Sequence, residues 1–162
     1  MNILVTGGSG YKGSVLIPLL LKDGHKVLSV DTDWFGNELE QHTNLNCINA
    51  DIREFDYSLL KDIDAVIHLA NIANDPAVDL NPTLSWEVNV LATHQLIDKA
   101  VRMGVKQFLY ASSGSVYGVK EEPNVTEDLE LVPISTYNKT KMCAERVLLS
   151  YKDNINVKCI RP

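Results

Sequence analysis

In the stretch "STYNKTKMCAERVL", residues 135–148, Tyr137 and Lys141 stand four apart, so on a helix they share one face. A phenol ionises near pH ~10 and is a poor base at neutral pH, but a neighbouring ammonium favours the phenolate. Such a pair suits the movement of a proton on and off an alcohol oxygen. Ser113, at the end of a predicted strand, offers a hydroxyl for the same oxygen. The spacing alone arises by chance on any helix rich in lysine and tyrosine, so its weight depends on the rest of the chain.

A second constellation opens the sequence. "VTGGSGYKG", residues 5–13, sets Gly7, Gly10 and Gly13 directly after a predicted strand and at the mouth of a predicted helix. Glycines there allow a tight turn, close approach of backbone to a diphosphate and close helix–strand packing, while the helix N-terminus supplies N–H donors. Asp31 ends the second predicted strand, where a carboxylate accepts from the adenosine ribose hydroxyls and repels a 2′-phosphate. Asp33 adds a second negative charge, though it also reads as a loop-capping residue. No arginine falls between the glycine loop and Arg53, so NAD is favoured over NADP.

These residues need a common frame. Short β-branched runs at Asn2–Thr6, Lys26–Asp31, Asn46–Ala50, Ala65–His68, Gln107–Ala111 and Val157–Ile160 alternate with helical patterns near 11–23, 56–62, 81–103 and 136–152. That alternation predicts an α/β fold: a Rossmann-type doubly wound parallel sheet with helices on both faces. The glycine loop, Asp31, Asp51, His68–Ala70 and Ser112–Ser113 then fall at the C-terminal ends of successive strands, the rim where open parallel sheets bind ligands. Taken singly, His68 reads as a packed strand-end residue and Asp51 as a turn former. Pro18, inside the first helix, should remove one hydrogen bond and kink it.

The helix expected over 81–103 opens with Asn81 and Pro82 and closes at Gly104. Its apolar residues, among them Trp86, Val90, Leu96 and Ile97, cover about half the circumference, wider than the ~100° stripe that one sheet contact requires. It is either deeply buried or in contact with a second subunit as well.

Bulk composition narrows the classes. At 162 residues, with 15 basic and 21 acidic side chains and a net charge of −6, the chain makes one domain and lacks a basic patch for nucleic acid. The apolar run Val15–Leu21 is far too short to span a bilayer. Three unpatterned cysteines and no secretory signal suggest reduced thiols in the cytoplasm, where the sequons at Asn124 and Asn138 carry no weight. Four scattered histidines without ligand spacing predict no metal.

With these residues in hand, the chain resembles the extended short-chain dehydrogenase/reductase family, the NAD-dependent nucleotide-sugar epimerases and dehydratases, and among them the UDP-glucose 4-epimerases. The matching stretches are "TGGSGYKG", Asp31, "ADI" at 50–52, "HLA" at 68–70, "NVLAT" at 89–93, "YASSGSVYG" at 110–118 and "YNKTK" at 137–141, with Pro133 and Glu145 in familiar positions. The resemblance implies a catalytic trio of Ser113, Tyr137 and Lys141. It also implies NAD contacts from Gly7, Gly10, Tyr11, Gly13, Asp31, Asp51, Ile52, Leu69, Ala70, Asn89, Tyr137 and Lys141. It further implies a nucleotide-sugar substrate and a homodimer through helices 81–103 and 136–152.

Sugar 4,6-dehydratases of the family carry an Asp-Glu pair after the catalytic hydroxyl residue; here Gly114 and Ser115 stand there, which favours 4-epimerisation. A sugar ketoreductase or dehydrogenase, a 4,6-dehydratase and a non-catalytic NAD-binding sensor are the competing readings. The segment "ANIANDP" at 70–76 departs from the usual epimerase loop. The chain stops at "CIRP", residues 159–162, where such proteins continue into a substrate-binding domain. The expectation is therefore an N-terminal cofactor half that binds NAD but turns over nucleotide sugars poorly by itself.

Overall fold

The computed structural model describes residues 1–162. Six strands form one sheet, all pairings parallel, in the order β3-β2-β1-β4-β5-β6. They are β1 (Asn2–Thr6), β2 (Lys26–Asp31), β3 (Leu45–Asn49), β4 (Ala65–His68), β5 (Gln107–Ala111) and β6 (Asn156–Ile160). The order reverses between β1 and β4, so a crevice opens above the C-terminal ends of those two strands.

The period of two along a strand divides the core. Ile3 and Val5 of β1 point with Val27 toward Ile17 of helix α1 (Gly13–Lys22), while Leu4 between them faces the opposite layer. That second layer is larger: Val30, Val66 and Phe108 pack on Leu96, Ile97 and Ala100 of α4 (Thr93–Arg102) and on Ala144 and Leu148 of α5 (Thr136–Leu149).

Three expectations need correction. The stretch 56–62 contains only one 3₁₀ turn, Tyr57–Leu60, started by the Asp56 carboxylate accepting from the Ser58 N–H. The expected helix 81–103 is instead α3 (Pro82–Trp86), a π-helical turn (Glu87–Ala92) and α4, preceded by a short helix, α2 (Asp75–Leu80), that lies outside the helical patterns of the sequence. Asn74, at φ +67°, caps α2 through its side chain, and Asn81 separates α2 from α3 with non-helical backbone while capping Leu84. Periodicity detects none of this: the breaks are made by two asparagine side chains competing with the helix ladder, and a π turn leaves the polar–apolar pattern nearly intact. Pro18 does lie inside α1, which continues through it to Lys22 with the proline on the exposed side.

Candidate cofactor cleft and active site

At the rim of the sheet lies a cleft of about 490 Å³, bounded by the β1–α1 loop, the ends of β2 and β3, the segment after β4, and α5. Its size is that of a small-molecule site. Gly7 turns the chain at φ +75°, and a side-chain carbon there would lie 2.5 Å from the Ala70 nitrogen. Only glycine lets the β1 and β4 ends approach that closely. A side chain on Gly13 would strike the carbonyl oxygens of Gly7 and Gly8, so that glycine sets the seat of α1 on the loop. Leu69 and Ala70 both donate their N–H to the Thr6 carbonyl, at 2.9 and 3.0 Å, which locks the floor of the crevice. Tyr11 and Lys12 face the cleft at the start of α1, and neither N–H has a carbonyl partner. Those donors lie at the positive end of a helix, where negative charge is favoured.

Asp31 lines the cleft at the tip of β2. Its carboxylate accepts from the Ser9 and Asp33 N–H groups, each at 3.0 Å. Asp33, at φ +52°, is held by the Ser9 hydroxyl (2.6 Å) and the Asn49 amide (3.2 Å), so it closes the loop on which Trp34 and Phe35 project into solvent beside the cleft. Asp51 also lines the cleft, with its carboxylate gripped by the Arg53 guanidinium at 2.7 Å; Arg53 extends to Glu87 at 3.0 Å. The hydrogen bond from Arg53 holds the Asp51 carboxyl below its usual range. Ile52 is buried against Val88 and Ala92 and forms part of the wall.

Tyr137 and Lys141 share one face of α5, and both reach the cleft. The Ser135 side chain starts that helix by accepting from the Asn138 N–H. Lys141 is buried; its amine donates to the Ala111 carbonyl at 2.6 Å and lies 4.3 Å above the Tyr110 ring. Burial, assisted by the charge of Lys12, pulls its pKa down to about 7. Burial likewise pushes the Tyr137 hydroxyl upward, opposed by a hydrogen bond from Ser113. The sequence reading expected the lysine charge to lower the tyrosine. In this geometry desolvation is the largest influence on both groups.

Three anticipated residues stand behind the cleft surface. Gly13 acts through packing. Ser113 bonds the Ser115 hydroxyl at 2.7 Å and starts a 3₁₀ turn over Gly114–Tyr117, touching the site through Tyr137. Asn89, within the π-helical turn, spends its amide on Ile72 N–H (2.8 Å), Ile72 carbonyl (3.2 Å) and the Thr140 hydroxyl (3.1 Å). It ties the segment after β4 to the helix of Tyr137 and Lys141 and does not line the cleft.

His68 is fully buried, as its strand-end reading implied, between the Thr6 and Thr93 hydroxyls at 2.6 and 2.8 Å. Ser112 lines the cleft, as its strand-end position implied, and Lys12, Asn71 and Ile72 line it without having been singled out. "ANIANDP" held the signal for two of them, since its two asparagines and proline mark an ordered turn. No group of three or more His, Cys, Asp or Glu side chains is arranged to hold a metal, and no helix is long and apolar enough to cross a membrane.

Comparison with known proteins decides the lineage. The model of the NAD dependent epimerase/dehydratase family matches residues 3–162. The chain belongs to that family. Among its curated members, a UDP-glucose 4-epimerase from Lactobacillus helveticus is 32% identical over 152 residues, covering 91% of this chain and 46% of its own. A UDP-glucuronic acid 4-epimerase from Bacillus cereus, solved with UDP-glucuronic acid and NAD, superposes with a TM-score of 0.89 at 34% identity, covering 99% of this chain and 56% of that one. The dTDP-glucose 4,6-dehydratase DesIV from Streptomyces venezuelae, solved with NAD, gives 0.90 at 27% identity, with 99% and 55% coverage. The chain thus spans about half the length of the family members it matches. NAD is the cofactor of this family of nucleotide-sugar epimerases and dehydratases, and epimerase and dehydratase neighbours lie at similar structural distance.

Proposed function

We propose that this chain is the cofactor-binding part of an NAD-dependent epimerase that acts on a nucleotide-linked sugar through transient oxidation to a keto sugar. The residues present fit NAD. The Gly7 turn lets a ligand approach the backbone, the Tyr11 and Lys12 N–H groups are free for a diphosphate, and the Asp31 carboxylate at the end of β2 faces the cleft. Asp51, Ile52, Leu69 and Ala70 complete the wall, while Tyr137 and Lys141 close the other end. NAD bound there supplies reversible hydride acceptance.

The single observation that carries the catalytic reading is that Tyr137 and Lys141 reach the cleft from one face of α5, with Ser113 hydrogen-bonded to Tyr137 from behind it. Tyr137 takes the proton of the sugar hydroxyl during oxidation and returns it on reduction. Ser113 hydrogen-bonds the same oxygen and stabilises the phenolate form of Tyr137. Lys141, anchored by the Ala111 carbonyl, orients the cofactor's ribose and adds positive charge when protonated. The turn after Ser113 contains Gly114 and Ser115, without the carboxyl pair that elimination chemistry uses, and this favours epimerisation over dehydration.

A homodimer accompanies this reading. Leu91, Leu149 and Trp86 leave apolar surface on the outer faces of the helices between 81 and 152, and a groove between Val90, His94, Val147 and Tyr151 runs along them. The test of the enzyme is isomer interconversion of UDP-hexoses by the full gene product, followed by NMR of the sugar anomeric protons. Tyr137→Phe should lower kcat by about 10²–10⁴, the usual contribution of general acid–base catalysis. An unchanged kcat in that variant would remove Tyr137 from the mechanism.

A further inference from the structure

Lys141 is a buried amine without a counter-ion. Only 3% of the residue is exposed, and it belongs to none of the ion pairs of the molecule. Glu145, one turn further along α5, is spent on Arg161 at 2.8 Å and on the Ser112 hydroxyl at 3.1 Å. The acceptors that the amine does reach are neutral: the Ala111 carbonyl at 2.6 Å and the Asn71 side-chain oxygen at 3.5 Å. A buried ammonium so placed needs another source of negative potential.

Strand β5 supplies one. Tyr110 lies level with His68 of β4 and Cys159 of β6, and its ring packs into the layer under α5 with Phe108, Ala144 and Leu148. The Lys141 amine rests over that ring, 4.3 Å from its centroid. That is well inside the ~6 Å over which the negative face of an aromatic ring attracts a cation. Two other cations lie over tyrosine rings, Lys99 over Tyr57 at 5.8 Å and Arg161 over Tyr117 at 5.0 Å. The Lys141 contact is the shortest of the three and the one in which both partners are buried, so water does not screen it. The Tyr110 hydroxyl, by contrast, is buried without a hydrogen-bond partner, so the site uses the ring of this residue and not its polar end.

Resting on the reading of Lys141 given above, we infer that Tyr110 is a positioning residue: its ring face stands in for a counter-ion, holds the Lys141 ammonium at the edge of the cleft and favours its charged form. Two successive residues of β5 thus hold the amine, Tyr110 by its face and Ala111 by its carbonyl. Burial, aided by the charge of Lys12 at the start of α1, pulls Lys141 down to about 7, and the ring opposes that pull. The other titratable groups facing the amine are Glu145 on α5, which favours the charged form, Tyr137 on α5, Cys159 on β6 and His68 on β4. Burial lowers His68 to about 3, so its ring is neutral and adds no competing charge.

The test grades the negative face of the ring while its shape stays nearly constant. Tyr110→Phe is compared with mono-, di- and trifluorinated phenylalanine at the same position, since each fluorine withdraws electron density from the ring face. Tyr110→Phe removes only the unpartnered hydroxyl, so it should fold with an unchanged or higher melting temperature. Side-chain ¹⁵N-lysine NMR, with the Lys141 signal assigned by its loss in Lys141→Arg, reads the titration midpoint of the amine in the free protein. From phenylalanine to the trifluorinated ring that midpoint should fall stepwise, by about one pH unit in all. Calorimetric titration with ADP-ribose, which carries the cofactor's second ribose but no nicotinamide charge, supplies the functional readout. The pH above which ADP-ribose binding weakens should move down in step with the midpoint, whereas a ring that only fills space would move neither. Equal midpoints across the series would overturn the inference, as would midpoints that shift while the pH dependence of binding stays in place. Wild type that binds no ADP-ribose would overturn the cofactor reading, and the NMR series would still decide whether the ring holds the charge.

Discussion

His68 makes the protein's stability depend on pH in a way that can be worked out before any measurement. The ring is fully buried, both nitrogens are engaged by threonine hydroxyls, and the Tyr110 ring stacks on it at a centroid distance of 5.7 Å. Desolvation, with the charge of Lys141 acting in the same sense, lowers its pKa from 6.5 to about 3. The unfolded chain therefore binds a proton on this residue across an interval in which the folded chain refuses it. Stability contributed by the neutral ring is complete above pH 6.5 and is lost as pH falls toward 3.

Well inside that window each pH unit removes roughly 1.4 kcal/mol, and because the unfolded ring is only half protonated at pH 6.5, acidification from 6.5 to 4.5 should remove about 2.3 kcal/mol. That is a large part of the ~5–15 kcal/mol by which domains of this kind are stable. The lowered carboxylates Asp51, Asp56 and Asp128 start from a reference of 3.8, so their share is lost mainly below the window. Urea unfolding of wild type and His68→Gln at pH 7, 5.5 and 4.5 separates the term. The variant should be less stable at pH 7, because two threonine hydroxyls lose their partner, yet decline less steeply with acid. Parallel declines in the two proteins would refute the argument.

Other outcomes follow from the same geometry. Lys141 is a buried amine with a pKa near 7, which the unfolded chain protonates more readily, so Lys141→Met should raise the melting temperature of the free protein at pH 7. Its advantage should shrink as pH rises toward 10, and thermal melts at both values check this. Arg161, which bonds the buried Glu145 at 2.8 Å and the Tyr117 hydroxyl at 2.6 Å, joins the end of the chain to α5. Arg161→Met should destabilise by about 3–5 kcal/mol in denaturant titrations, because a buried carboxylate is left unpaired. Gly7→Ala should abolish NAD binding while calorimetry of unfolding still shows a cooperative transition, since the added carbon meets the Ala70 backbone.

Much of this was legible in the sequence, for identifiable reasons. The central strands β1, β2 and β4 are largely buried apolar runs, the edge strands β3 and β6 are mostly exposed, and the alternation of strands with helices points to a parallel sheet with right-handed connections. Gly7 and Asp31 could be assigned because a turn and a strand end each demand a particular residue type. Asn89 could not: its motif pointed at the cofactor, whereas its amide is consumed within the protein by Ile72 and Thr140, a partnership made only in three dimensions. The upward push on the Tyr137 hydroxyl and the downward push on the Lys141 amine come from burial, which sequence does not report.

If the glycine loop seats NAD and Asp31 selects it, a calorimetric titration of the chain with NAD⁺ and with NADP⁺ should show saturable binding of NAD⁺, at least tenfold weaker binding of NADP⁺, and loss of that preference in Asp31→Ala. Equal affinity for the two dinucleotides in wild type, or binding of neither, would contradict it.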